Sequence, residues 1–161
     1  MYTRNLLWLV SLVSAAPLYA ADVPANTPLA PQQVFRYNNH SDPGTLDPQK
    51  VEENTAAQIV LDLFEGLVWM DGEGQVQPAQ AERWEILDGG KRYIFHLRSG
   101  LQWSDGQPLT AEDFVLGWQR AVDPKTASPF AGYLAQAHIN NAAAIVAGKA
   151  DVTSLGVKAT D

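Results

Sequence analysis

The chain has 161 residues, of which 46% are hydrophobic and 18% charged, so it can form one folded domain with a core, and a disordered chain is excluded. Its formal net charge is −7 and it contains no run of basic residues, which excludes the clustered Lys and Arg used to bind nucleic acid. Cysteine is absent, which excludes disulfides, cysteine–zinc sites and thiol catalysis.

The first twenty residues have the three-part plan of a secretory signal. Arg4 is their only charge, an apolar run covers residues 6–13, and small residues follow at positions 15–20. This run is shorter than the ~20 residues that cross a bilayer. We predict a cleavable signal peptide over residues 1–20, cut after Ala20, and keep an N-terminal membrane anchor as the alternative.

The next segment predicts an extended leader, a strand and a helix. Three prolines lie in residues 21–32, and residues 33–38 (QVFRYN) alternate and carry β-formers. Thr55 and Gln58 have the spacing of a capping box at a helix start, and Gly66 is expected to end the helix. The predicted apolar face consists of Ile59, Val60, Leu63, Phe64 and Leu67.

Turn sequences then predict two hairpins. DGEG separates residues 67–70 from 75–77, and DGGK separates residues 82–87 from 93–97. A third turn is predicted at SDG, residues 104–106. The alternation in residues 93–97 predicts a strand that is covered on at least one side.

Helices follow the hairpins. Thr110 and Asp113 have capping-box spacing, and a carboxylate in the first turn is favoured by the helix dipole. The helix should end near residues 123–124, because the residue before proline avoids the α region. Two more helices are predicted, from Ser128 to about residue 136 and over residues 142–147.

The order of these elements predicts an α+β fold in which antiparallel hairpins are followed by packed helices. The last residues, GVKATD, resemble the start of a strand that has no later partner. Domains rarely end where a strand begins, so we expect the chain to be truncated.

The residues that could carry chemistry favour no enzyme and no metal site. Residues 71–82 imitate a calcium loop at its first and twelfth positions, but Val76 stands where glycine is needed and Pro78 interrupts the loop. The three histidines fit no metal-ligand spacing, and no nucleophile-elbow sequence is present. A carboxylate cluster is open to two interpretations, a solvated helix face or a loop that faces a ligand: Glu52, Glu53, Asp62 and Glu65.

Taken as one unit, residues 81–124 resemble the signature region of the family 5 extracellular solute-binding proteins of peptide ABC transporters. Further segments also resemble this family: residues 21–25 (ADVPA), 46–48 (LDP), 62–67 (DLFEGL), 126–129 (TASP) and 155–158 (LGVK). The signature residues are Trp84, Asp88, Gly89, Tyr93, Phe95, Leu97 and Arg98, then residues 103–114, then Trp118 and Arg120.

The resemblance implies a fragment of a multi-lobed, type II periplasmic binding protein, monomeric at full length. Residues 21–64 would supply the leader, first strand and helix of one lobe, and residues 65–161 most of a second lobe. The implied function is capture of oligopeptides for delivery to a permease in the inner membrane. The choice among free oligopeptides, murein tripeptide and other solutes stays open. The resemblance implies no catalysis and no cofactor. The alternative is a stand-alone periplasmic interaction or sensor domain derived from such a protein.

Three positions match ligand-lining positions of the family. Glu52 matches an acidic residue that faces a side-chain pocket, and Asn54 falls where the family backbone pairs with the peptide. Phe130 stands where the family has tyrosine, so it keeps the ring and loses the hydroxyl. By contrast, Trp103, Asp105 and Gly106 are expected to build a hairpin, and Thr110 and Asp113 to start a helix.

Overall fold

The computed structural model describes residues 26–28, 30–32 and 34–160, and the chain divides into two units, residues 1–37 and 38–161. The predicted signal peptide and its cleavage site lie outside the described residues. Within that described part, no helix has the length and apolar character needed to cross a membrane.

The described part of the first unit has no regular secondary structure. The rings of Phe35 and Tyr37 are stacked, with their centroids 5.9 Å apart. The strand predicted for residues 33–38 is therefore wrong as far as residues 34–38 are described. An alternating sequence is compatible with an extended backbone, but a strand also needs a partner strand. Among the described residues, no strand pairs with residues 34–38.

Helix α1 spans Asn54–Leu63, and Glu53 occupies its N-cap position without a side-chain capping bond. The capping box predicted for Thr55 and Gln58 is wrong, because Thr55 already lies inside the helix. The helix also ends before Gly66, since the backbone at Phe64 is extended, with φ −124° and ψ 136°. Ala56 is its only buried residue, so the predicted apolar face is not buried as a stripe.

Both predicted hairpins are present. Strands β1 (Val68–Met70) and β2 (Val76–Pro78) pair antiparallel. Strands β3 (Ala81–Leu87) and β4 (Arg92–Leu97) form the second antiparallel pair. The turn sequences locate these hairpins correctly because their chemistry is local.

The turn after β4 is also present, and its acidic residue is structural. Asp105 Oδ1 accepts a hydrogen bond of 2.9 Å from the Gln107 N–H. Gly106 has a φ of +85°, a left-handed conformation that costs glycine little. Gln102 and Pro108 then form an isolated antiparallel bridge. Asp105 and Gly106 therefore build this turn, as predicted.

Helix α2 (Ala111–Val122) begins with the predicted capping box, in which the Thr110 N–H donates to Asp113 Oδ2 at 2.8 Å. It ends at Val122, and its C-cap residue Asp123 directly precedes the proline, as predicted. Helix α3 (Ala131–Gln136) begins later than Ser128, because residues 128–130 form a turn in which the Ala131 N–H donates to Ser128 O. Helix α4 (Ala142–Val146) and a short 3₁₀ helix (Val152–Ser154) follow.

The best-buried part of the described fold lies among α2, α4 and the C-terminal segment. Its core cluster is formed by Val122, Ala142, Ile145 and Leu155, and Trp118 and Leu134 are among the partly buried side chains that pack against it. These helices and the two small antiparallel sheets agree with the predicted mixture of helix and hairpin.

The C-terminal segment does not form the predicted strand, since residues 156–160 have no regular secondary structure. It is held instead by packing of Leu155 in the core cluster and by a hydrogen bond of 2.9 Å from the Gly156 N–H to Asn140 O. The two backbones are so close that a β-carbon on Gly156 would lie 2.5 Å from the Asn140 Cβ. Burial and a close backbone contact therefore replace strand pairing here.

Candidate functional site

The loop that leads into α1 is ordered by its own side chains. Asp47 Oδ1 accepts from the Gln49 N–H at 3.1 Å, and the Lys50 N–H donates to Asp47 O at 2.9 Å. At the other end of the loop, the Gly44 N–H donates to Glu53 Oε1 at 2.7 Å. Val51, between these bonds, is buried. The loop therefore has a defined conformation before it reaches Glu52 and Asn54.

An ion pair joins this loop to α2. Arg120 donates to both carboxylate oxygens of Asp47, at 3.0 and 2.6 Å. This hydrogen bonding from Arg120 is the main reason why the pKa of Asp47 is lowered from its ordinary value of 3.8. The same contact raises the pKa of Arg120, so both groups stay charged near neutral pH.

Gln49 lies at the centre of these contacts. Its Nε2 donates to Gly117 O and its Oε1 accepts from Arg120, both at 2.6 Å. Its main-chain carbonyl accepts from the Ser128 hydroxyl at 2.7 Å. We call Asp47, Gln49, Gly117, Arg120 and Ser128 the Gln49 network. It joins the loop before α1 to α2 and to the segment after α2, which lie 68 to 79 positions later in the sequence.

Ser128 also contacts the third predicted site residue, Phe130. The Phe130 N–H donates to Ser128 Oγ at 3.2 Å, while the Ser128 hydroxyl donates to Gln49 O. The main chain at Phe130 is therefore linked through one hydroxyl to a carbonyl three residues before Glu52. Thr126, on the same segment, is buried.

The structure thus brings the two predicted site segments together, but it leaves their side chains free for other contacts. Glu52 and Asn54 are exposed, and Phe130 keeps 45% of its surface. In the part of the chain that is described, no hydrogen bond joins the side chains of these three residues. Two shallow surface clefts, at residues 38–42 and 153–158, contain none of the three.

Sequence reasoning did not assign the residues that hold these segments together. Asp47 and Arg120 stand in family-like motifs, yet their pairing spans 73 positions. Their opposite charges are the available clue, and many other pairs have opposite charges. Gln49 and Ser128 are uncharged and belong to no short motif that predicts a long-range bond.

A second polar connection lies at the other end of α1. Arg98, the residue after β4, forms an ion pair with Glu65. Gln80 Nε2 donates to Glu65 O at 2.9 Å, and the Gln80 N–H donates to Gly66 O at 3.1 Å. Within the described ranges, no group of three or more His, Cys, Asp or Glu side chains could hold a metal ion.

The Asp47–Arg120 pair predicts a defined dependence of stability on acidity. Because the folded-state pKa of Asp47 lies below 3.8, its stabilisation is fully present above that pH and is lost as the pH falls through the folded-state pKa. We expect Asp47→Asn to lower the free energy of unfolding by about 1 kcal/mol near neutral pH. The difference from the wild type should vanish in strong acid. Urea unfolding over a pH series measures it.

Asp88→Asn is the matched control for this prediction. Asp88 pairs with Arg92 across an exposed turn, and both side chains keep more than half of their surface. Its replacement should change the free energy of unfolding little at any pH. The same loss for Asp47→Asn in strong acid as at neutral pH would contradict the assigned role of the Asp47 charge.

Comparison with known proteins identifies the family. The model of bacterial extracellular solute-binding proteins, family 5 middle region, matches residues 75–161. The chain is 50% identical over 153 residues to the periplasmic oligopeptide-binding protein OppA of Salmonella typhimurium, covering 95% of this chain and 28% of that protein. It is 46% identical over 153 residues to the periplasmic murein peptide-binding protein MppA of Escherichia coli, again with 95% and 28% covered.

Solved structures agree with this comparison. Haemophilus influenzae OppA in complex with the peptide RPPGFSPFR matches with a TM-score of 0.73 and 45% identity, over 77% of this chain and 24% of that one. The chain thus spans 28% of the length of the curated relatives named above. The matched family consists of solute-binding proteins and not of enzymes, which confirms the expectation of a non-enzymatic family. This chain belongs to the bacterial extracellular solute-binding proteins of family 5.

Proposed function

We propose that the chain belongs to the substrate-binding component of a peptide ABC transporter, which captures oligopeptides in the periplasm and delivers them to a permease in the inner membrane. The observation that carries the proposal is 50% identity over 95% of the chain to a periplasmic oligopeptide-binding protein. The predicted signal peptide agrees with this location. We also propose that the complete protein acts as a monomer.

The three predicted site residues fit roles in peptide recognition. Glu52 is exposed beside an ordered loop, so its carboxylate can attract basic side chains. Asn54 is the first residue of α1, whose start has no side-chain cap, and its main chain can pair with an extended peptide. The half-exposed ring of Phe130 offers an apolar contact.

We propose the arrangement of the chain within a larger type II binding protein as follows. Residues 21–64 contribute the leader and first elements of one lobe, and residues 65–161 form most of a second lobe. The proposed boundary near residue 64 coincides with the break in regular structure between Leu63 and Val68. The Gln49 network would then join the two lobes across this boundary.

Calorimetric titration tests the proposed function. The complete product of the gene and the chain of residues 21–161 are each titrated with tri-lysine and with tri-alanine, after circular dichroism has shown that they are folded. We expect saturable heat with the complete product and none with residues 21–161 alone. Glu52→Gln should weaken tri-lysine binding about fivefold and leave tri-alanine binding unchanged.

Glu82→Gln is the control, since the one ion pair of Glu82 among the described residues is with its exposed neighbour Arg83. A folded complete product that binds neither peptide would overturn the proposed function. It would favour the alternative of an interaction or sensor domain. Equal weakening of both peptides by Glu52→Gln would overturn the role given to its charge.

A further inference from the structure

The Gln49 network has a feature that the family resemblance does not explain: it connects the two predicted peptide-facing segments by hydrogen bonds that need no bound peptide. Gln49 lies three residues before Glu52, and Ser128 lies two residues before Phe130. The Ser128 hydroxyl bridges them, because it donates to Gln49 O at 2.7 Å and accepts from the Phe130 N–H at 3.2 Å.

We propose that Gln49 and Ser128 are positioning residues, which set the separation between the segment of Glu52 and Asn54 and the segment of Phe130 before a peptide binds. This inference rests on the proposed function of these segments. Neither residue needs to touch peptide. Their effect is preorganisation, which strengthens binding by removing the cost of ordering the two segments.

Helix α2 is the fixed element against which Gln49 positions the loop before α1. The Gln49 side chain is bound to two residues of that helix, by donation to Gly117 O and by acceptance from Arg120. Helix α2 is itself fixed, since Val115 and Val122 are buried and Val122 belongs to the core cluster. The loop before α1 is therefore held against a rigid element, which is the arrangement that keeps a binding site in register.

The chemistry of the amide explains why glutamine suits this position. One amide donates through nitrogen and accepts through oxygen at the same time. A glutamate could accept from Arg120, but it has no donor for the Gly117 carbonyl at neutral pH. A methionine has a similar length and makes neither strong bond. Gln49→Met therefore removes both hydrogen bonds while nearly keeping the length of the side chain.

The test compares Gln49→Met, Ser128→Ala and Ser128→Thr in the complete gene product, with Gln58→Met and Ser104→Ala as controls. Gln58 and Ser104 are exposed and lie outside the network. We expect Gln49→Met and Ser128→Ala to weaken tri-lysine and tri-alanine binding about fivefold each. Ser128→Thr keeps the hydroxyl and should restore affinity, and the controls should bind as the wild type does.

A purely structural role gives a different result: a lower thermal midpoint with unchanged affinity at temperatures where the protein is folded. That result would overturn the inference. It would also be overturned if Ser128→Thr bound as weakly as Ser128→Ala while folded as stably as the wild type.

Hydrogen exchange of the chain itself supplies a readout that needs no peptide. Gln49→Met and Ser128→Ala should each accelerate amide exchange in both segments, residues 49–54 and 128–131, and leave α4 unchanged. Exchange that changes in neither segment, or only beside the substituted residue, would overturn the positioning role. If the wild type bound no peptide, the proposed function would fail, and exchange alone would decide whether the two segments are coupled.

Discussion

Replacing Ile145 with alanine is expected to lower the free energy of unfolding by about 3 kcal/mol. Ile145 is completely buried, and it packs with Val122, Ala142 and Leu155 in the core cluster. Truncation removes three carbons from this contact and leaves a cavity, because helices held from several sides relax only in part. Since whole domains are stable by about 5–15 kcal/mol, this single change is a large fraction of the total.

Urea unfolding of residues 21–161, followed by circular dichroism, measures this loss. Ile86→Ala is the matched control, since Ile86 keeps 56% of its surface on strand β3, and it should cost less than about 1 kcal/mol. If the two substitutions cost the same, the core cluster would not be the main source of stability.

Replacing Gly156 with alanine is expected to destabilise the chain by about 3 kcal/mol. The new β-carbon would lie 2.5 Å from the Asn140 Cβ and 3.3 Å from the Asn140 Cα. One of these atoms is backbone, so the conflict cannot be relieved by a side-chain rotation. The segments must separate, and this strains the hydrogen bond from the Gly156 N–H to Asn140 O.

Gly117→Ala is the control, and it should act in the opposite direction. Gly117 lies inside α2, and a β-carbon there meets no atom within 4 Å. Alanine is the better helix former, so this change should stabilise the chain by up to about 1 kcal/mol. The main-chain carbonyl of residue 117 still accepts the hydrogen bond from the Gln49 side chain. The same sign of effect at both glycines, measured by urea unfolding, would contradict the close backbone contact at Gly156.

The features that could be predicted from the sequence are those whose causes are local. The DGEG and DGGK turns, the SDG turn and the capping box of α2 each depend on residues within a few positions of one another. The strand predictions at residues 33–38 and 156–161 failed over their described parts because a strand needs a partner elsewhere in the chain. The start of α1 was misplaced because the helix begins at Asn54 without a side-chain cap, whereas the Thr55–Gln58 spacing predicts one.

The same distinction applies to the candidate site. Glu52, Asn54 and Phe130 were selected through the family resemblance, and their roles remain proposals. The contacts that bring their segments together could not be read from the sequence, because Gln49 bonds to partners 68, 71 and 79 positions away. An uncharged amide gives no indication of such partners. The distant partners of such uncharged polar side chains can therefore be identified only from the tertiary structure.

The two polar attachments of α1 have a thermodynamic consequence. The helix buries Ala56 alone, and the loops at its two ends are held by the Asp47–Arg120 and Glu65–Arg98 ion pairs. Release of α1 would expose little apolar surface, so its heat-capacity change should be small, whereas melting of the core cluster carries a large one. Added salt screens half-exposed ion pairs but not buried hydrocarbon. Added salt should therefore weaken the attachment of α1, which the neutral hydrogen bonds of Gln49 and Gln80 also hold, and leave the core cluster unchanged.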